Sequence, residues 1–208
     1  MARIQAPPRN FQLLPLIAED VEPSALIRIA WRDPATHCRF RREARYRFDA
    51  PDRSFGVMYA TFDLATAFAE TILRDRPTHS DDVILDYRDL DSRVVVELKR
   101  GPDDRPLRLI KLYDEGLAAA HTDNQISARD HYPTTQRWAQ MFHAHSIAAD
   151  GIVYMSRYMG ARKSVALFDR CAAAVAAGAA TPLLEHREFA SLVELFDLAI
   201  DRFTSDGR

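Results

Sequence analysis

Leu64 to Leu73, LATAFAETIL, is a run of small and apolar residues that carries one ionisable side chain, Glu70. Taking a carboxylate away from water is costly unless it is paired, so such a group is either a solvated surface residue or one kept for chemistry. A second stretch with chemical content is RFRREARYRF, where Arg39, Arg41, Arg42, Arg45 and Arg47 fall within nine positions among Phe40, Tyr46 and Phe48. Aromatics among arginines suit single-stranded RNA, with bases stacked and phosphates paired. They equally suit one nucleotide diphosphate held by a guanidinium fork, or a solvated basic loop. His143 and His145 in HAHS are two apart, so on a helix they point to different sides, and no third ligand stands nearby. Cys38 and Cys171 lack CxxC spacing and have no base beside them in sequence. GxGxxG, GxxxxGK[ST] and GxSxG are all absent, which removes the common nucleotide-binding and hydrolase fingerprints.

The elements that must position these groups can be read from periodicity. Pro7, Pro8, Pro15 and Pro23 mark residues 1–24 as an extended arm laid on a core. SALIRIAW reads as a strand whose alternation turns Arg28 away from Ile27 and Ile29. GVMYA (Gly56–Ala60) is a second strand, leading directly into the helix that bears Glu70. There Leu64, Ala67, Phe68, Thr71 and Ile72 form one buried stripe, and Asp63 is the expected N-cap. Glu70 lies off that stripe, on a flank made of Thr66, Ala69 and Leu73.

DVILDYRDL and SRVVVELKR are expected as strands joined by a turn, and PLRLIKLY as another. A helix is expected from about Pro133 through QRWAQMFHAH. Gly151–Met155 and Ser164–Phe168 read as strands joined by a basic turn. The alanine-rich piece after Cys171 suits helix or linker. FASLVELFDLAIDRF suits a closing helix with a stripe of Phe189, Leu192, Val193, Phe196, Ile200 and Phe203. The order implies an α+β protein, a compact mixed sheet core with flanking helices. Residues 25–170 form the expected main domain, and 171–208 a helical extension packed on it.

Composition sets wider bounds. The 208 residues are 47% hydrophobic and 28% charged with a formal net charge of −2, an ordinary globular balance with no global cationic field for nucleic acid or membrane. Two cysteines make no disulfide framework. No signal peptide is evident, because the short apolar piece at the N-terminus is broken by Pro15 and followed by acids. A cytoplasmic protein with free thiols is the expectation.

Three pieces in order resemble the RES domain family, named for an arginine, a glutamate and a serine. They are Arg28 in LIRIAW; Arg47 ahead of Gly56 in FGVMYATFDLATAFAE, which ends at Glu70; and Ser156 in DGIVYMSR, followed by Ala166-Leu167-Phe168. The resemblance runs from about Ala25 to Arg170. It implies a fold like that of ADP-ribosyltransferase toxins, NAD+ as substrate, no metal, and a place as toxin in a bacterial toxin–antitoxin pair. The implied partner is an antitoxin with a helix-turn-helix domain that covers the active site, in a complex in which the toxin can be dimeric. Some members transfer ADP-ribose to a protein, a nucleotide-synthesis enzyme such as phosphoribosyl pyrophosphate synthetase being a precedent; others consume NAD+ with water or phosphate.

On that resemblance Glu70 stabilises the oxocarbenium-like ribose as nicotinamide leaves, and Ser156 hydrogen-bonds at the nicotinamide ribose. Arg28 and Arg47 hold the pyrophosphate, and Tyr59, with Tyr46 as a second candidate, faces the nicotinamide ring. Where many members read Gly-Gly-Arg-Trp-Asn, this chain has Arg45-Tyr46-Arg47-Phe48, which leaves open which of Arg45 and Arg47 contacts phosphate. That departure favours a protein acceptor. Two other classes compete: a non-enzymatic RNA-binding protein using Arg39–Arg47, and an interaction protein that dimerises through the Phe189–Phe203 stripe.

Overall fold

The computed structural model describes residues 4–74, 83–128 and 132–201. Eight strands form one mixed sheet: β1 (Ala18–Val21), β2 (Ile27–Trp31), β3 (Val57–Thr61), β5 (Arg93–Arg100), β6 (Leu107–Leu112), β7 (Gly151–Met155), β8 (Lys163–Phe168) and β9 (Val175–Pro182). Their order across the sheet is β1-β6-β7-β8-β3-β2-β5-β9, antiparallel throughout except for the β6–β7 pair. A separate two-stranded parallel ribbon joins β4 (Val83–Asp86) to β10 (Leu198–Asp201). The helices are α1 (Leu64–Phe68), α2 (Tyr87–Asp91), α3 (Glu115–Ala119), α4 (Gln125–Ala128), α5 (Tyr132–Ala144) and α6 (Phe189–Leu195). The fold class is α+β, as the order of elements implied.

One face of all eight strands feeds a single core. Val21, Ala30, Met58, Val96, Leu107, Val153, Val165 and Val175, one from each strand, belong to the same buried cluster, so the sheet must curl around it. The outer face is covered in two separate places. Phe11 and Leu14 of the N-terminal arm, with Trp138 and Phe142 of α5, pack on β6, β7 and β8. Leu64 and Phe68 of α1, with Leu192 of α6 and Leu198 of β10, pack on β2 and β5.

Between these two outer cores the sheet parts. β2 and β3 are registered at one pair, Ile27 with Thr61. Beyond it β2 stays with β5, whereas Val57 of β3 exchanges both backbone bonds with Arg41, each 2.9 Å. Alternate residues of a strand turn their backbone groups to the same edge. Tyr59, between Val57 and Thr61, therefore turns its N–H and C=O into the gap. The arginine-rich segment enters that gap through Arg41.

Several elements differ from the pattern read in sequence. DVILDYRDL is a strand only to Asp86, whose carboxylate accepts from Arg88 N at 2.7 Å and starts α2. The alanine-rich segment is neither helix nor linker but edge strand β9. It pairs with β5 through a bulge between Val96 and Leu98, and Pro182, which has no donor, closes it. The closing helix ends at Leu195, because Asp197 takes a left-handed φ of 48°. Leu198–Asp201 then extends along β4, so the segment after 171 is not a helical extension and the Phe189–Phe203 stripe is split. Phe203 lies outside the described residues.

Candidate active site

α1 starts as the sequence indicates. The Asp63 carboxylate accepts from Thr66 N and from the Thr66 hydroxyl, each 2.8 Å, and pairs with Arg162 at 2.6 Å. After Phe68 the coil widens into a π-helical turn, Ala69–Leu73, of the kind that often marks functional sites. Thr71, expected inside, falls in the wider turn and is exposed, while Thr66, ahead of the turn, and Ala69, at its start, are buried on the flank. Glu70 is half-buried at the edge of the gap between β2 and β3.

Ser156 reaches Glu70 from the far side of the chain. It lies at the end of β7, is 3% exposed, and donates its hydroxyl hydrogen to Glu70 Oε1 at 2.6 Å. The Arg157 amide donates to the same oxygen at 3.1 Å. Ser156 Oγ in turn accepts from Met159 N at 3.1 Å, and Ser156 N donates to Arg162 O at 2.8 Å. The basic turn between β7 and β8 is thus folded back on Glu70. Ser156 thus gives its only hydroxyl hydrogen to the carboxylate.

The gap opens into two adjoining cavities. The inner one, about 560 Å³ including open solvent, is lined by residues that include Arg28, Arg47, Tyr59, Glu70, Arg74, Tyr132, Tyr154 and Arg157. The outer one, about 1210 Å³ including open solvent, shares Arg28, Tyr59, Glu70, Thr71 and Arg74 with it and extends to Trp31, Arg39, Arg41, Arg45, Tyr46 and Arg93. Cationic side chains thus run the length of the cleft.

Arg28 donates through Nη1 to the His37 carbonyl at 3.2 Å, and its Nε has no hydrogen-bond partner among the described residues. Burial pushes its guanidinium down to about 10, so it remains a cation at neutral pH that is short of solvent and of counter-charge. An unmet buried donor of this kind is a place for an anion. Arg47 is buried, bonded to the Ile126 carbonyl at 3.3 Å and 5.5 Å from the Tyr132 ring centroid. Burial lowers its pKa, opposed by Tyr154, Tyr132 and Glu70. The two arginines left open by sequence are therefore separated: Arg47 lines the inner cavity with Glu70, and Arg45 lines the outer one.

Tyr59 lines both cavities. Its hydroxyl donates to Asp49 Oδ1 at 3.0 Å and accepts from Phe48 N at 2.9 Å, and burial, with the Asp49 charge, holds its pKa well above the usual phenol value. Tyr46 packs edge-on against Tyr59 at 5.9 Å and carries the Arg74 guanidinium 4.2 Å from its ring centre, so one of its faces is taken. Tyr46 lines only the outer cavity.

The structure brings Glu70, Ser156, Arg28, Arg47 and Tyr59 to one place. It adds residues that sequence reading passed over. Tyr154 is two positions before Ser156 on β7, so strand periodicity could have found it; burial first, then Glu70, raises its hydroxyl pKa. Arg74, four residues after Glu70, was within reach of the helical period. Asp49, 2% exposed, also accepts from Arg45 N and Tyr46 N at 2.9 and 2.8 Å and had no signal in sequence.

The RES domain family model matches residues 25–189. The chain belongs to the RES domain family. Among solved structures, this RES domain chain is similar to one in the crystal structure of the M. tuberculosis MbcT–MbcA toxin–antitoxin complex. The identity is 11% and the TM-score 0.57, with 90% of this chain and 98% of that one covered. At that identity the likeness shows the fold. Among curated proteins none matches the chain. Among the described residues, no helix is long and apolar enough to cross a membrane, and no group of three His, Cys, Asp or Glu side chains is placed to hold a metal ion.

Proposed function

We propose that this RES domain protein cleaves the nicotinamide–ribose bond of NAD+ and passes the ADP-ribosyl group to a protein. The observation that carries the reading is Glu70, half-buried and fixed on Oε1 by Ser156 and Arg157, in an inner cavity whose other charged lining side chains are arginines. As the C–N bond breaks, its electron pair leaves with nicotinamide and positive charge develops on the ribose. A preorganised carboxylate stabilises that charge more than it stabilises the ground state. Arg28 and Arg47 supply the charge that a pyrophosphate requires, with Arg28 Nε the donor still unmet. Tyr59, its hydroxyl tied to Asp49 and Phe48, offers a fixed aromatic face. The acceptor's nucleophilic atom then adds to the same ribose carbon and gives up its proton.

The setting proposed is a toxin held in check by an antitoxin that covers this cleft; an antitoxin partner is supported by the similar fold having been solved in a toxin–antitoxin complex. Destruction of NAD+ with water or phosphate as acceptor is the alternative within the same chemistry. RNA binding by Arg39–Arg47 is less supported, because Arg47 is buried and Arg42 is paired with Asp169 at 2.6 Å.

The test is nicotinamide release from NAD+ by the purified chain freed of any partner, beside Glu70→Gln. The expected loss in the variant is on the order of 10²–10³ in rate. Release that is independent of Glu70 would refute the assignment. Labelled NAD+ with cell lysate then separates a protein acceptor from water or phosphate.

A further inference from the structure

Trp31 stands at the far end of the cleft and none of the roles above uses it. Four large apolar side chains are exposed among the described residues, Leu13, Trp31, Ile84 and Leu195, and Trp31, 40% exposed, is the one that lines a cavity of the cleft. Its ring is held in place. Arg93 is its direct cross-strand partner on β5, and the guanidinium sits 3.4 Å from the ring centre. That guanidinium is itself fixed by Asp89, which accepts from Nη2 at 2.9 Å and from Nε at 3.3 Å. The loop that follows is pinned too: the Thr36 hydroxyl lies 2.7 Å from the Asp33 carbonyl and 3.2 Å from that of Trp31. An indole with one face held by a fixed arginine, and exposed at the wall of the same cavity, is a stacking platform for a flat π system.

Position along the cleft says which one. Trp31 and Ile29 share a face of β2, and Ile29 packs in the same cluster as α1, which leads into Glu70. Trp31 is three residues beyond Arg28, about 10 Å along an extended strand and on the other face of β2; both line the outer cavity, which opens where β2 and β3 part. Arg39 and Arg41 line the same outer cavity. The outer cavity thus joins a carboxylate, phenols, several arginines and an exposed indole. Those groups match the reacting ribose, phosphates and base of a dinucleotide.

We infer that the outer cavity is a purine subsite in which Trp31, backed by Arg93, stacks the adenine of the dinucleotide substrate. The inference deepens the reading of the cleft as an NAD+ site and rests on it. A platform of this kind makes the adenylate half a determinant of affinity: a substrate with the same nicotinamide ribotide and no adenylate loses the contact.

The experiment uses the full chain freed of any partner, with AMP and nicotinamide mononucleotide as probes. The chain has two tryptophans, and Trp138 is fully buried with its Nε1 donating to Gln5 O at 2.9 Å. Emission that responds to a ligand in the cleft therefore reports Trp31. AMP is expected to quench wild-type emission saturably and to leave Trp31→Ala unchanged. In nicotinamide release, Trp31→Ala is expected to raise KM for NAD+ by roughly 5- to 100-fold, the range for a base stacked on an aromatic ring. The preference for NAD+ over nicotinamide mononucleotide falls by the same factor, and Trp31→Phe restores most of it. Failure of AMP to alter wild-type emission, or an unchanged preference in Trp31→Ala, overturns the purine subsite even if release depends on Glu70. Saturable quenching by AMP with no release from either substrate keeps the subsite and refutes the cleavage instead.

Discussion

The hydrogen bond between Ser156 and Glu70 makes a quantitative claim about how this cleft works. A hydrogen bond to a charged group contributes about 1.5–3 kcal/mol, and Ser156→Ala removes one, at 2.6 Å, from the carboxylate. If that energy is all expressed in the transition state, it corresponds to a drop in kcat of roughly 10- to 100-fold. Glu70 keeps its bond from the Arg157 amide at 3.1 Å, so the loss stays below that of Glu70→Gln. The informative measurement is a double-mutant cycle on kcat for nicotinamide release. A residue that acts only by holding another contributes nothing once that other is gone. The double variant Ser156→Ala/Glu70→Gln is therefore expected to match Glu70→Gln within about twofold. A double variant slower than Glu70→Gln by the full Ser156→Ala factor would refute the reasoning. It would assign Ser156 a direct contact with the substrate ribose. Urea midpoints on all four proteins establish that the comparison is made on folded chains.

Two further outcomes follow from the same network and from its surroundings. Asp49→Ala leaves the Arg45 and Tyr46 amides and the Tyr59 hydroxyl without their acceptor and is expected to lower unfolding free energy by about 2–4 kcal/mol; an unchanged urea midpoint would show that the loop re-forms its bonds elsewhere. His143 lies flat on Phe55, ring centres 4.0 Å apart, and burial, with Arg170 nearby, pulls its pKa below the ordinary 6.5. The folded state therefore binds this proton less readily than the unfolded one, so the stabilisation is complete above pH 6.5 and fades as pH falls through the depressed folded value. His143→Phe is expected to flatten that part of the thermal midpoint against pH below 6.5, and an unaltered profile would dissociate His143 from it.

Where the sequence was read correctly, the pattern was local. Asp63 caps α1 because a carboxylate three residues before a backbone amide satisfies it wherever the helix goes. Arg28 falls opposite Ile27 and Ile29 because strand side chains alternate. Where it was misread, a distant partner decided. The alanine-rich segment favours helix by intrinsic preference, yet it adds to the edge of β5, where Gly178, whose Cβ would lie 3.0 Å from the Glu97 carbonyl, lets the bulge form. Leu198 and Ile200 suit a helical stripe and a strand equally, and β4 selects the strand.

Sequence by itself determined the residue types: a carboxylate among small residues, an arginine strand, a serine after a tyrosine strand, in the order of the family to which the chain belongs. These survive translation into words because they depend on spacing of a few residues. Only the tertiary structure decided that the sheet parts after a single β2–β3 pair, that a π-helical turn brings Glu70 to that gap, and that Ser156 and Arg157, more than eighty positions away, bind its carboxylate. It alone separated Arg45 from Arg47 and put Trp31 at the end of the same cleft. These are contacts between segments remote in sequence, set by how curved layers close around a shared core, and no local period encodes them.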